Sequence, residues 1–398
     1  MQEVTLGMIL EARERLKGVI QRTGMVEFRA LETEGSRVFL KTEDLQNTGS
    51  FKVRGAYIKI ASLTEEEKAA GVIASSAGNH AQGVALAAQR FGVPATIVMP
   101  AGAPIAKVKA TRELGANVVL YGSVYDDAYK KACELQAESG ATFIHPFNDP
   151  LVIAGQGTIG LEIMDDLRAD TILVPVGGGG LASGVAAAVK MLHPEIRVIG
   201  VQAAGAASMK ASLEAGEVVC LDSAKTIADG IAVKQPGELT FEMCRKYLDG
   251  IVTVDDDEIA QAILFLMEKG KMVAEGAGAA SVAAILSGKV QRIGTLAAVI
   301  SGGNIDVNMI SRIIEKGLLR AGRVSKLRIL MADRPGQLEI VSRIIGQAGA
   351  NVMAVHHDRT NVDLDIRDAI LEITMETQDR EHAQQVIADL REAGFAVN

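Results

Sequence analysis

Between about residues 72 and 300, short runs of β-branched and apolar residues alternate with stretches whose apolar positions recur every three to four residues. The runs fall at 72–74, 95–99, 117–120, 171–176, 197–201 and 296–300; the helical stretches include 81–91, 126–139 and 259–269. Such alternation predicts an α/β body in which helices cover a parallel sheet. Ligands of such sheets gather at the carboxyl ends of the strands, so the loops there matter most.

Beyond about residue 323 the pattern changes. A strand at 327–331 meets the turn signal Asp333-Arg334-Pro335-Gly336. Leu338, Val341, Ile345 and Ala348 then mark one helix face. A strand at 352–356 follows, then the alternating Ala369, Leu371, Ile373 and Met375, then a second helix through Ala383, Val386, Ile387 and Leu390, and a last strand at 395–397. The order βαββαβ is the ferredoxin-like arrangement. The two patterns predict domains at 1–322 and 323–398, and 398 residues suffice for both.

Composition narrows the function. With 41 basic and 49 acidic residues the net charge is −8, and no basic run appears, which argues against a nucleic-acid partner. Three dispersed cysteines, none in a CxxC pair, fit free thiols in a reducing compartment, and the first residues lack a secretory pattern; a cytoplasmic protein is expected. The uncharged stretch 171–189 is 19 residues long, yet Pro175 and four consecutive glycines break it, so a buried strand, turn and helix fit better than a membrane span.

Four segments carry candidate chemistry. In Asn47-Thr48-Gly49-Ser50-Phe51-Lys52, the lysine stands where a loop becomes a helix. A helix N-terminus and partial burial both favour its free amine, the form that makes a Schiff base or takes a proton; an ordinary surface lysine is the competing reading. In Ser75-Ser76-Ala77-Gly78-Asn79-His80, a strand end feeds a helix start. Backbone N–H groups and the Ser76 hydroxyl there suit a carboxylate, against plain helix capping. Gly177-Gly178-Gly179-Gly180-Leu181 lets backbone approach a phosphate at a helix N-terminus. No lysine follows as in a nucleotide-hydrolase loop, and the next strand ends in Gln202 rather than the acid that a dinucleotide site needs. Ser301-Gly302-Gly303-Asn304 follows an apolar strand; alone it reads as a glycine-rich turn.

Together and in this order, the four segments resemble the threonine and serine dehydratases of the tryptophan-synthase-β-like (fold type II) pyridoxal-phosphate enzymes. The resemblance covers roughly residues 6–319 and implies a two-lobed body with a smaller lobe at about 53–150. It implies that Lys52 carries pyridoxal 5'-phosphate (PLP) and later takes the substrate Cα proton. It places Phe51 beside the cofactor, Asn79 on the ring hydroxyl, Gly177 to Leu181 on the phosphate and Ser301 on the pyridine nitrogen. Ser76, Ala77, Gly78, Asn79 and His80 resemble the substrate-carboxylate loop. The implied reaction is loss of water and ammonia from L-threonine, with L-serine as a poorer substrate. A serine-preferring dehydratase, or a sensor without catalysis, are the alternatives. Racemases of this family carry a serine where this chain has Ala77, and acidic metal ligands where it has Gln202, Ala206 and Ser208, so neither racemisation nor a tight divalent site is expected. The C-terminal segment resembles an ACT domain. That resemblance implies a branched-chain amino-acid effector near Asp333, Arg334, Pro335, Gly336, Gln337 and Leu338, and pairing of chains into a homotetramer or dimer.

Overall fold

The computed structural model describes residues 3–360 and 365–397. The chain forms two compact units, Met1–Ile305 and Asp306–Asn398. The division lies upstream of the boundary expected at 322/323, because the helix Val307–Arg320 goes with the C-terminal unit. Arg380 holds the end of that helix by donating to Arg320 O from Nε and Nη2, at 2.9 and 2.7 Å.

In the first unit the strands are β1 (Met25–Glu27), β2 (Ser36–Thr42), β3 (Val72–Ser75), β4 (Ala95–Met99), β5 (Asn117–Leu120), β6 (Thr142–Phe143), β7 (Thr171–Pro175), β8 (Arg197–Ala203), β9 (Gly250–Val254) and β10 (Gly294–Ile300). The larger sheet has the order β1-β2-β10-β7-β8-β9, parallel except for β1. The smaller sheet has the order β5-β4-β3-β6 and is wholly parallel. Every residue of β3 and β7 is buried, which is why these strands read as unbroken apolar runs rather than alternating ones.

The helix Pro150–Asp166 is buried from Val152 through Ile163. It begins with proline in its first turn and Asp149 accepting from Leu151 N and Val152 N. Its glycines permit backbone-to-backbone packing. A Cβ on Gly155 would lie 2.6 Å from Gly55 Cα in the helix Lys52–Ala61. A Cβ on Gly184, in the helix Gly180–Leu192, would lie 2.4 Å from Ile153 O.

A buried ionic cluster ties the same region together. Arg54, wholly inaccessible, donates to Glu43 from Nε and Nη2 at 2.8 and 2.7 Å, and to Glu162 from Nη1 and Nη2 at 2.6 and 2.9 Å. Lys41 donates to Glu162 at 2.6 Å, and Thr23 Oγ1 donates to Glu43. Two cations face two carboxylates, so the cluster is neutral and each charge keeps hydrogen-bonded partners. Burial pushes the Glu162 carboxyl up, but the Arg54 hydrogen bonds and the charges of Arg54 and Lys41 outweigh it and hold it below the usual carboxylate range.

The C-terminal unit adds β11 (Val324–Ala332), β12 (Asn351–Asp358), β13 (Asp368–Glu376) and β14 (Ala396–Val397). They form an antiparallel sheet of order β12-β13-β11-β14, with the helices Gln337–Gln347 and Arg380–Glu392 between them in sequence. This is the ferredoxin-like order. Leu327, Ile329, Leu371, Ile373, Val341, Ile345, Val386 and Leu390 form its core.

Candidate active site

Lys52 is the first residue of the helix Lys52–Ala61, with Phe51 in the capping position. Gly83 seats the helix Asn79–Phe91 directly on this peptide, since a Cβ there would come 3.0 Å from Lys52 C and Val53 N. The Lys52 ammonium donates to Pro146 O at 3.0 Å and lies 5.1 Å from the centre of the Phe51 ring. Burial pulls its pKa down to about 8, against the opposing charge of Glu275.

Two imidazoles flank the amine, and neither bears charge at neutral pH. Burial, then the Lys52 charge, pulls His80 down to about 3 and His145 to about 4. His80 Nε2 lies 2.7 Å from Ile144 O, an acceptor, so Nε2 carries the proton. His145 Nδ1 accepts from Phe147 N at 3.2 Å and Asn148 N at 2.8 Å. In the expected substrate loop the His80 side chain is buried against a peptide carbonyl, and Ser76, Ala77, Gly78 and Asn79 are half-buried. The Ser76 hydroxyl accepts from Gly78 N at 3.2 Å and keeps its own hydrogen to donate.

The glycine run lies where β7 ends, and the helix begins at Gly180. Gly179 has φ +97, a conformation that favours glycine. A Cβ on Gly178 would come 2.4 Å from the Phe147 ring, and one on Gly180 would come 2.8 Å from Phe147 Cα and Cβ. Thr240 Oγ1 donates to Gly178 O at 2.6 Å, which fixes the turn. Backbone N–H groups at a helix start, with no side chain in front of them, make an anion cradle.

The remaining segments meet the lysine segment directly. Phe51 N donates to Ser301 O at 3.2 Å, and Ser50 bridges to Gly302 in the antiparallel sense. Asn304 Nδ2 donates to Thr48 O at 2.7 Å and to Asn79 Oδ1 at 2.8 Å. Asn79 Nδ2 donates to Glu275 Oε1 at 2.6 Å. The hydroxyls of Ser50 and Ser75 are buried without a partner among the described residues. Lys52, Asn79, the glycine run and Ser301 thus converge from positions far apart in sequence.

Residues 16–302 match the family model described as pyridoxal-phosphate dependent enzyme. This chain belongs to that family. It is 53% identical over 396 residues to the L-threonine ammonia-lyase of Thermotoga maritima, covering 99% of each chain. The solved structure of the processed form of threonine deaminase isoform 2 from Solanum lycopersicum is similar at 40% identity and a TM-score of 0.74, covering 79% of this chain and 95% of that one. A structure of maize serine racemase is similar at 35% identity and a TM-score of 0.75, covering 80% and 99%.

The residues present fit the family's cofactor. A lysine amine of lowered pKa can form the covalent link, and the backbone N–H groups of the glycine run, set where the helix begins, suit an anion. Ser301 lies at the carboxyl end of β10, buried, with a hydroxyl that can meet a ring nitrogen without charging it.

Four contributors escaped the sequence reading: Glu275, Pro146, Phe147 and Thr240. Glu275-Gly276-Ala277-Gly278 was the signal for the first, a carboxylate set before a glycine-rich helix start. Gln202 lies within β8 and serves structure: it accepts from Lys210 N and donates to Ala206 O. Among the described residues no cluster of three or more His, Cys, Asp or Glu is placed to hold a metal ion, and no helix is long and apolar enough to cross a membrane. In the C-terminal unit the expected effector turn joins β11 to the next helix, with Gly336 at φ +91 and Asp333 paired to Arg359 at 3.1 Å.

Proposed function

We propose that this chain deaminates L-threonine to 2-oxobutanoate and ammonia in the cytoplasm, with L-serine as a slower substrate. The observation that carries the reading is that the Lys52 amine meets Pro146 O, beside the Phe147 that packs on the glycine run, while its neighbour Phe51 bonds Ser301 O. The names of the relatives agree with it.

The bound cofactor supplies an electron sink for the negative charge that develops at the substrate Cα. The chain's own residues do the rest. The amide N–H groups of Gly177, Gly178, Gly179, Gly180 and Leu181 hold the phosphate at the helix start. Asn79 takes the ring oxygen, Ser301 the ring nitrogen, and Phe51 lines the cofactor. Ser76, Ala77, Gly78 and Asn79, with the His80 N–H, bind the substrate carboxylate. Lys52 would hold the cofactor, and its amine, when free, would accept the Cα proton; its pKa of about 8 leaves a useful fraction as free base at neutral pH. A neutral hydroxyl at the ring nitrogen favours prompt loss of the β-hydroxyl over transamination.

Racemisation is disfavoured because Ala77 has no hydroxyl to serve as acid or base on the opposite face. A pocket that separates threonine from serine by one methyl group can do so by about 1–3 kcal/mol, so the preference for threonine is modest. The C-terminal unit is read as an ACT domain that pairs between chains of a dimer or tetramer. A branched-chain amino acid near Asp333 to Leu338 would shift activity by its differential affinity for two states.

The test is keto-acid release from L-threonine and L-serine by wild type and Lys52→Ala, with and without isoleucine or valine. Fast 2-oxobutanoate formation that disappears in Lys52→Ala supports the reading. Absence of keto acid from either substrate, with cofactor bound, refutes it.

A further inference from the structure

Asn79 has both sides of its amide engaged. Its Nδ2 donates to Glu275 Oε1 at 2.6 Å, and its Oδ1 accepts from Asn304 Nδ2 at 2.8 Å. Asn304 Nδ2 spends its other hydrogen on Thr48 O at 2.7 Å. The direction of a chain of amides is set by its ends. Both ends here only accept: a peptide carbonyl at Thr48 and an ionised carboxylate at Glu275. Asn79 must therefore turn Oδ1 toward Asn304 and Nδ2 toward Glu275. One Nδ2 hydrogen is left to give.

We propose that Glu275 is a positioning residue, which through the chain Thr48–Asn304–Asn79–Glu275 aims the free N–H of Asn79 at the ring oxygen of the bound cofactor. The inference rests on the assignment of Asn79 to that oxygen. Glu275 stands at the start of the helix Gly276–Leu286, yet its side chain makes no capping bond to that helix and turns to Asn79 instead. Glycine at 302 makes room for it: a Cβ there would lie 2.6 Å from Glu275 Oε1 and 3.1 Å from Asn79 Nδ2. A carboxylate acceptor makes a stronger and more directional bond than a neutral one. Lys52, Lys107 and Asp229 also face this carboxyl; burial, with a smaller push from the Asp229 charge, lifts its pKa to about 6 against the Asn79 hydrogen bond and the charges of Lys107 and Lys52. It is ionised at neutral pH and loses its hold on the amide direction as it takes up a proton below about pH 6.

The experiment uses holoenzyme of wild type, Glu275→Gln, Glu275→Ala, Asn79→Ala and the Glu275→Ala/Asn79→Ala double variant. It reads the visible absorbance of the Lys52-bound cofactor against pH, and the rate of cofactor release on dilution. Glu275→Ala is expected to release cofactor roughly tenfold faster, as befits loss of one charge-assisted hydrogen bond. Glu275→Gln, which is nearly isosteric and keeps an acceptor, should fall between, and should lose any absorbance inflection near pH 6. In the Asn79→Ala background the Glu275 substitution should add nothing. Additive effects in the double variant, or a Glu275→Ala protein indistinguishable from wild type, overturn the positioning role while leaving Asn79 in place. An Asn79→Ala protein with unchanged spectrum and release rate overturns the Asn79 assignment itself, and the relay with it.

Discussion

Arg54 lies two residues beyond Lys52, and its removal is a stringent test of what holds the lysine helix. Arg54→Met keeps an aliphatic stem of similar reach and deletes the guanidinium. Five hydrogen bonds vanish, to Glu43, Glu162 and Thr158. Glu162 retains Lys41, but Glu43 retains only the Thr23 hydroxyl among these partners. The neutral cluster becomes one of net charge −1 at a site where Lys41 and Glu43 are wholly buried and Glu162 nearly so. Breaking a buried pair in this way costs about 3–5 kcal/mol. At roughly 1.6 °C per kcal/mol for a unit the size of Met1–Ile305, calorimetry of the holoprotein should show a melting transition about 5–8 °C lower. The sign with pH follows from the carboxyls. In wild type the Glu162 pKa is depressed, so its stabilising contribution is present above the ordinary carboxylate value and fades as pH falls through the depressed one. In Arg54→Met the stranded carboxylate is penalised while charged and relieved by protonation, so the gap to wild type should narrow on going from pH 7 to pH 5. Arg54→Met/Glu43→Gln restores neutrality and should recover most of the loss. A single variant within 1 kcal/mol of wild type (an arbitrary but generous margin), or a double variant with simply additive losses, would falsify the account.

Gly178→Ala places a methyl group 2.4 Å from the Phe147 ring; cofactor titration should show at least about tenfold weaker binding with the far-ultraviolet circular dichroism unchanged, and Phe147→Ala in the same chain should restore part of it. Gly83→Ala presses on the peptide of Lys52 at 3.0 Å; kcat on L-threonine should fall more than KM rises, because the reacting amine is displaced rather than the substrate loop. In cofactor-free protein, the rate at which Lys52 combines with added pyridoxal phosphate should rise through about pH 8 and level off above it, since the free amine reacts. A rate that keeps rising to pH 10 would show an unperturbed lysine.

The body of the fold was legible because its strands are buried on both faces. β3, β4 and β7 read as continuous apolar runs, and β4 and β5 begin and end where the pattern places them. The glycine run was legible as a strand-to-helix turn, but the helix start at Gly180 was not, since glycine is a poor helix former. The helix 259–269 was read too long in its regular form: it ends at Phe265 and loosens into a wider turn at Leu266–Gly270. The domain boundary misled because the amphipathic helix Val307–Arg320 gives no sign of which unit it belongs to. Glu275 hid because a lone acid at a helix start reads as a complement to the helix dipole, and its partner Asn79 is remote in sequence. The ionic cluster hid for a similar reason. Charged residues are ordinarily outside, and only the isolation of Glu162 in an otherwise uncharged buried helix hinted at a partner.

Why these residues meet at all follows from strand polarity. β2, β7 and β10 of the larger sheet run parallel, and so do β3 and β6 of the smaller one. Each contributes the loop after its carboxyl end: Glu43 through Lys52 after β2, the glycine run after β7, Ser301 after β10, Ser76 to His80 after β3, and His145 to Phe147 after β6. Parallel strands bring all their carboxyl ends to one edge, so two such sheets facing each other concentrate five loops at one place without any of them being long. Lys52 sits where the loops of both sheets are in contact: its peptide touches Gly83, its amine meets Pro146 O, and its neighbour Phe51 bonds Ser301 O. The amine is thus carried on a helix clamped by close glycine contacts and by the Arg54 cluster, while the groups proposed to grip the phosphate and the ring come from short loops. A reacting group on a rigid element, with its partners supplied from several strand ends, keeps its geometry when any single loop varies. The same frame is shared by relatives named as an ammonia-lyase, a deaminase and a racemase, so the fold alone does not set which reaction follows.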